Sequence, residues 1–101
     1  MNIQLHESKL KSIQKIFKNY PEIQKVFLYG SRVLGTSKNG SDIDISILGN
    51  ISLNQLSKLT LDLEDLYLPE KIDISIYNEI KNKNLLKHID KFGIEIYSIQ
   101  G

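Results

Sequence analysis

Two stretches of the chain alternate apolar and polar residues with a period of two. In Asp42–Leu48 (DIDISIL), Ile43, Ile45 and Ile47 fall on one side and Asp42, Asp44 and Ser46 on the other, the pattern of a half-buried strand. Lys71–Tyr77 (KIDISIY) repeats it, with Ile72, Ile74 and Ile76 inward and Asp73 and Ser75 outward. The flanks of the two stretches differ, so a shared strand period accounts for the likeness without a duplication. Lys25–Tyr29 (KVFLY) is short, β-branched and aromatic and ends at Gly30, which predicts a buried strand. Ile94–Ile99 (IEIYSI) predicts a last strand at a sheet edge.

Between these strands the period changes to that of a helix. Leu10, Ile13, Ile16 and Phe17 mark a helix within His6–Tyr20, stopped by Pro21. Ser52 is placed to cap a second helix carrying Leu53, Leu56, Leu59, Leu63 and Leu66 on one side, up to Pro69. Glu79–Phe92, with Ile80, Leu85, Leu86 and Ile89, predicts a third, ended by Gly93. Ser31–Ser41 has no period and reads as a loop opening with one helical turn. Strands alternating with helices imply an α/β (α+β) layer in which helices cover the isoleucine faces of a sheet.

Composition narrows the class. The 101 residues, taken as 1–101, amount to one domain; 41% hydrophobic and 25% charged residues are ordinary globular material. With no Cys, disulfides, zinc fingers and thiol catalysis are excluded. Thirteen basic against 12 acidic residues leave a net charge of +1 and no basic stripe, which disfavours a general nucleic-acid binder. No apolar run approaches the roughly 20 residues of a membrane span, and Met1–Leu10 is too polar for a signal peptide. The expectation is a cytoplasmic protein.

The chemistry-bearing residues form one constellation: Gly30-Ser31, then Asp42-Ile43-Asp44, then Asp73 on the later strand. Residues two apart on a strand share a face, so Asp42 and Asp44 point together. If Lys71–Tyr77 lies beside Asp42–Leu48, about 4.8 Å away, Asp73 joins them. Three converging carboxylates repel one another unless a cation stands between them. Mg²⁺ is suited to oxygen ligands and substrate phosphates, and two ions roughly 3.5–4 Å apart serve in-line phosphoryl displacement. A glycine at a strand end admits a close phosphate, the amides of the next turn donate to it, and the Ser31 hydroxyl adds a neutral donor. Arg32, the one arginine in the chain, suits either of two tasks, neutralising a phosphate or fixing the loop. Other readings of the same residues fail. An EF-hand loop opening at Asp42 would put Ile47 at its glycine and Leu53 at its bidentate glutamate. A Walker A loop would need Lys where Thr36 stands.

LYGSR-x3-G-x6-SDIDI with the later KIDISIY resembles the minimal nucleotidyltransferases of the polymerase β-like superfamily, over Val26–Tyr77. The resemblance implies a mixed sheet with flanking helices and Mg²⁺-dependent transfer of a nucleoside monophosphate from a triphosphate with release of pyrophosphate. By that resemblance Gly30, Ser31 and Arg32 form the nucleotide and phosphate site and Asp42 and Asp44 ligate both metals. Asp73 binds the second metal and helps activate the acceptor hydroxyl. Leu34 departs from the Ala often found there, which bears on loop packing. Stand-alone domains of this size resemble the antitoxins of HEPN/MNT toxin–antitoxin pairs, implying ATP as substrate and a tyrosine of the HEPN toxin partner as acceptor. The alternative is a non-catalytic antitoxin that neutralises its partner by complex formation; homo- or hetero-oligomers are both open. Outside the motif, His6, His88 and the lysines 81, 83, 87 and 91 read as solvated surface, and Tyr29 and Tyr77 as strand packing.

Overall fold

A strand that alternates isoleucine with polar residues has one face to bury, and here two such strands join two others in one sheet. The computed structural model describes residues 3–38 and 40–100; Asn39 of the predicted loop, Met1 and Asn2 of the polar N-terminus and Gly101 lie outside them. The elements run α1 (Glu7–Phe17), β1 (Ile23–Tyr29), α2 (Ser31–Leu34), β2 (Ile43–Gly49), α3 (Leu53–Glu64), β3 (Ile72–Ile76), a 3₁₀ turn (Tyr77–Glu79), α4 (Lys83–Phe92) and β4 (Ile94–Ser98). The sheet order is β3-β2-β1-β4. β1 runs antiparallel to β2 and β4, and β2 parallel to β3. A parallel pair needs a crossover, which α3 supplies. The sheet is thus mixed and flanked by helices, as expected, and β4 is an edge strand.

Register puts like with like. Ile45 stands opposite Leu28 on β1 and Ile74 on β3, and Ile47 opposite Val26 and Ile76. Ile43, Ile45 and Ile47 are completely buried, under Ile13 and Phe17 of α1 and Leu59 and Leu63 of α3. The capping box of α3 has the predicted residue at its head: the Gln55 N–H donates to Ser52 Oγ at 3.2 Å and the Ser52 N–H to Gln55 Oε1 at 2.9 Å. The leucine stripe of α3 is shorter than expected, since Leu53 in its first turn is 79% exposed while Leu59 and Leu63 carry the burial. Among the described residues no helix is long and apolar enough to cross a membrane.

The third predicted helix starts late. Tyr77–Glu79 forms only the 3₁₀ turn, Ile80 is extended, and α4 opens at Lys83. Asn82 is the reason: its Oδ1 accepts the N–H groups of Asn84 and Leu85 at 3.0 and 3.2 Å, and asparagine favours such a cap over a helix interior. α4 packs on the polar side of the sheet through the buried Ile89, and the Tyr77 hydroxyl donates to Asp90 Oδ1 at 2.6 Å.

Replacing Ile45 by Ala is expected to cost about 2–5 kcal/mol in urea unfolding. A loss under about 1 kcal/mol would mean that the isoleucine face is not the packed core described.

Candidate active site

The parallel register of β2 and β3 sets Asp44 directly beside Asp73, and the antiparallel register of β1 sets Tyr29 on the other side of Asp44. Asp42 comes immediately before β2 and is exposed, as is Asp73, whereas Asp44 is half-buried. Burial, and after it the negative charges of Asp73 and Asp42, push the Asp44 carboxyl above the ordinary carboxylate range, with Arg32 acting in the opposite sense. The donor chemistry fits a hard divalent cation: carboxylates only, on one side of the sheet, with charge that the surroundings compensate only in part. The expected convergence on a single spot is met in part. Asp44 and Asp73 are brought together by register, yet no group of three acidic, His or Cys side chains among the described residues is gathered closely enough to hold an ion. Mutual repulsion disfavours such gathering when no positive charge stands between the carboxylates.

Gly30 closes β1 and opens α2 with a φ of +80°, a backbone shape that glycine adopts at no steric cost. A Cβ there would lie 2.4 Å from Asp44 Oδ2, so two separate reasons demand glycine. The Gly30 carbonyl accepts the N–H groups of Val33 and Leu34, both at 3.1 Å. Its own N–H donates to His88 Nε2 at 3.0 Å and is therefore spent inside the protein. What remains for a phosphate is the next residue: neither the N–H nor the hydroxyl of Ser31 has a partner among the described residues.

Of the two tasks open to Arg32, the structure shows it in the second, fixing the loop. Its side chain is only 9% exposed. Nη1 donates to the Gln4 carbonyl and Nη2 to the Ser41 carbonyl, each at 2.7 Å, so the planar fork clamps the N-terminal segment to the loop just ahead of Asp42. Gln4 completes the clamp, its N–H donating to the Arg32 carbonyl at 2.8 Å and its Oε1 accepting from the N–H and hydroxyl of Ser37. Behind Arg32 stands Glu70, with Oε2 3.8 Å from Nη2. Lys9 Nζ donates to that same oxygen at 2.5 Å and holds the Glu70 carboxyl below the usual range.

His88 corrects an expectation, that of solvated surface, by reaching Gly30. A signal existed in the sequence: Leu85, His88, Ile89 and Phe92 follow helical i, i+3, i+4, i+7 spacing, which puts the histidine on the stripe that turns inward. His6 is exposed, as expected, and caps α1. Tyr29 is packing, as expected: its ring is buried and its hydroxyl lies 3.4 Å from Ser75 Oγ.

A mixed sheet with Gly-Ser at the end of one strand and carboxylates paired across the next two defines a nucleotidyltransferase-like domain, and comparison with known proteins agrees. Residues 11–100 match the family model described as polymerase beta, nucleotidyltransferase; the chain belongs to this family. It is 36% identical over 58 residues to the protein adenylyltransferase MntA of Shewanella oneidensis, a match covering 57% of this chain and 40% of that relative. The chain therefore aligns with about two fifths of the length of this curated relative. Its fold is that of a chain in the crystal structure of a toxin–antitoxin with AMP-PNP, with a TM-score of 0.73 and 22% identity over 90% of this chain and 74% of that one. It is also that of a chain in the complex of tri-AMPylated Shewanella oneidensis HEPN toxin with MNT antitoxin, with a TM-score of 0.69 and 19% identity over 95% and 75% of the two chains.

A carboxyl pKa raised in the fold means that ionising Asp44 destabilises the native state, so its contribution is fully present below its ordinary value and is lost as pH rises through the folded value. Asp44→Asn is accordingly expected to melt higher than wild type near pH 7, with the difference shrinking toward about pH 3.5. MgCl₂ is expected to raise the wild-type melting temperature and to leave that of Asp42→Asn/Asp44→Asn nearly unchanged. A pH-independent difference would remove the electrostatic account of Asp44, and equal Mg²⁺ responses would remove its role in holding metal.

Proposed function

We propose that this chain is a Mg²⁺-dependent adenylyltransferase and the antitoxin of a HEPN toxin, acting in the cytoplasm by moving AMP from ATP to a tyrosine hydroxyl of that partner. The observation that carries the reading is the pairing of Asp44 with Asp73 beside a glycine at which any Cβ would collide with the Asp44 carboxylate. Family membership supports the class of reaction. The names of the similar proteins, a protein adenylyltransferase and the complex of an AMPylated HEPN toxin with its antitoxin, support the nucleotide and the partner.

On this reading Ser31 holds the triphosphate through its hydroxyl and N–H, and Gly30 contributes the missing side chain that lets phosphate and carboxylate approach each other. Asp42 and Asp44 are the residues that would hold both ions, with Asp73 on the second. Two Mg²⁺ ions, when bound, supply positive charge for the phosphate oxygens on either side of an in-line displacement. The acceptor oxygen forms a bond to the α-phosphorus, the bond from that phosphorus to the bridging oxygen breaks, and pyrophosphate leaves. Asp73, exposed on the edge strand β3, takes the hydroxyl proton. Arg32 acts through the loop, by fixing the carbonyl of Ser41 next to Asp42.

Incubation with ATP labelled on the α-phosphate, Mg²⁺ and the product of the neighbouring gene is expected to label a tyrosine of that product. Asp42→Asn/Asp44→Asn should lower the rate by at least about 100-fold. Absence of label with the wild-type chain would overturn the enzymatic reading. A double variant that still relieves toxicity in cells as well as wild type does would establish neutralisation by complex formation instead.

A further inference from the structure

His88 lies outside the Gly-Ser, Asp-x-Asp and third-Asp set, yet its half-buried ring touches the turn that this set depends on. Its Nε2 accepts the Gly30 N–H at 3.0 Å. A backbone N–H only donates, so Nε2 is the unprotonated nitrogen and the neutral ring carries its proton on Nδ1. Tyr29 meets the ring edge-on with centroids 5.9 Å apart, and Phe92 approaches it at 5.4 Å. Asp44 stands so close to Gly30 that a Cβ there would reach its Oδ2 at 2.4 Å. Gly30 thus has a ring nitrogen on its N–H and a carboxylate where a side chain would be.

Glycine by itself holds no preference for one sign of φ, and a half-buried N–H without an acceptor carries a desolvation cost that turning toward water would relieve. We propose that His88 is a positioning residue for nucleotide binding: by accepting the Gly30 N–H it fixes the peptide plane from which Ser31 follows, and so aims the Ser31 hydroxyl and N–H at the phosphates. The proposal rests on the nucleotidyltransferase reading above. The ring is itself fixed, because the adjoining Ile89 is buried and Asp90 accepts the Tyr77 hydroxyl. α4 is therefore a strut set against the turn, and its contribution to nucleotide affinity passes through one acceptor atom.

The side-chain oxygen of Gln reaches about as far as Nε2 of His, that of Asn stops a bond short, and Leu offers no acceptor. The affinity for Mg²⁺ and AMP-PNP, measured by calorimetry, is expected to fall about five- to tenfold in His88→Leu and to stay within about twofold in His88→Gln. Exchange of the Gly30 amide hydrogen, followed by NMR without nucleotide, should quicken in His88→Leu and remain slow in His88→Gln. If His88→Leu fails to fold by circular dichroism, His88→Asn provides the same comparison. Wild-type affinity in His88→Leu alongside a Ser31→Ala variant that binds poorly would overturn the proposal alone, as would a His88→Gln variant no better than His88→Leu. A wild-type chain with a protected Gly30 amide and no affinity for the nucleotide would overturn the functional reading, and the nucleotide role of His88 with it.

Discussion

Asp44 and Asp73 stand side by side because the isoleucines around them must. Ile43 faces Ile72 and Ile45 faces Ile74 across the parallel pair, and a slip of one residue would send every one of these side chains to the wrong face. The hydrophobic register that builds the core therefore also forces two carboxylates together on the opposite side, where repulsion resists them. Burial on one face holds the polar residues of the other in a place that their own charges oppose, and the carboxyl of Asp44, the more enclosed of the two, is raised in pKa first by its own burial and then by those charges.

The rest of the site compensates this pair only in part. Arg32 lowers the Asp44 carboxyl pKa from a distance while its fork is bonded to two backbone carbonyls, and Lys9 is paired with Glu70. Below the carboxylates the strands carry small side chains, Ser46 and Ser75, which leave room for the Tyr29 ring to reach from β1 to Ser75 on β3. Burial, with Asp44 and Asp73 adding to it, raises the Tyr29 hydroxyl pKa and keeps it neutral. The result is a negative centre only partly compensated, flanked by a turn whose Ser31 donors have no partner among the described residues. Such a centre is costly as structure and suited to a cation that arrives with a phosphate-bearing substrate.

Much of this was legible in the residues because period two and period 3.6 are local signals. DIDISIL and KIDISIY announce their faces without help from the rest of the chain, and Ser52 announces a helix start. The pairing of Asp44 with Asp73 was legible only as a condition, since it requires β3 to be the neighbour of β2. Three features depend on contacts between distant parts of the chain. Arg32 finds Gln4, 28 residues away; Gly30 finds His88, 58 residues away; and Lys9 finds Glu70, 61 residues away. No spacing rule reports such contacts. The late start of α4 was legible in principle, because Asn82 is a good cap, but the apolar Ile80 extended the helical pattern past it.

The two sides of the carboxylate pair differ in a way that bears on the proposed reaction. On the β1 side the site is closed: β1 lies between β2 and β4, and Tyr29 and His88 fill the space toward α4. On the other side β3 is the last strand of the sheet, so among the described residues no further strand covers Asp73, which is exposed. In the proposed reaction a triphosphate held at Ser31 would lie on the closed flank, beside the glycine turn and its ring acceptor. A hydroxyl giving up its proton to Asp73 would approach over the open one. In-line displacement needs entering and leaving groups on opposite sides of the phosphorus, and a site enclosed on the nucleotide flank and open at an edge strand on the acceptor flank meets that need with an acceptor as large as another protein.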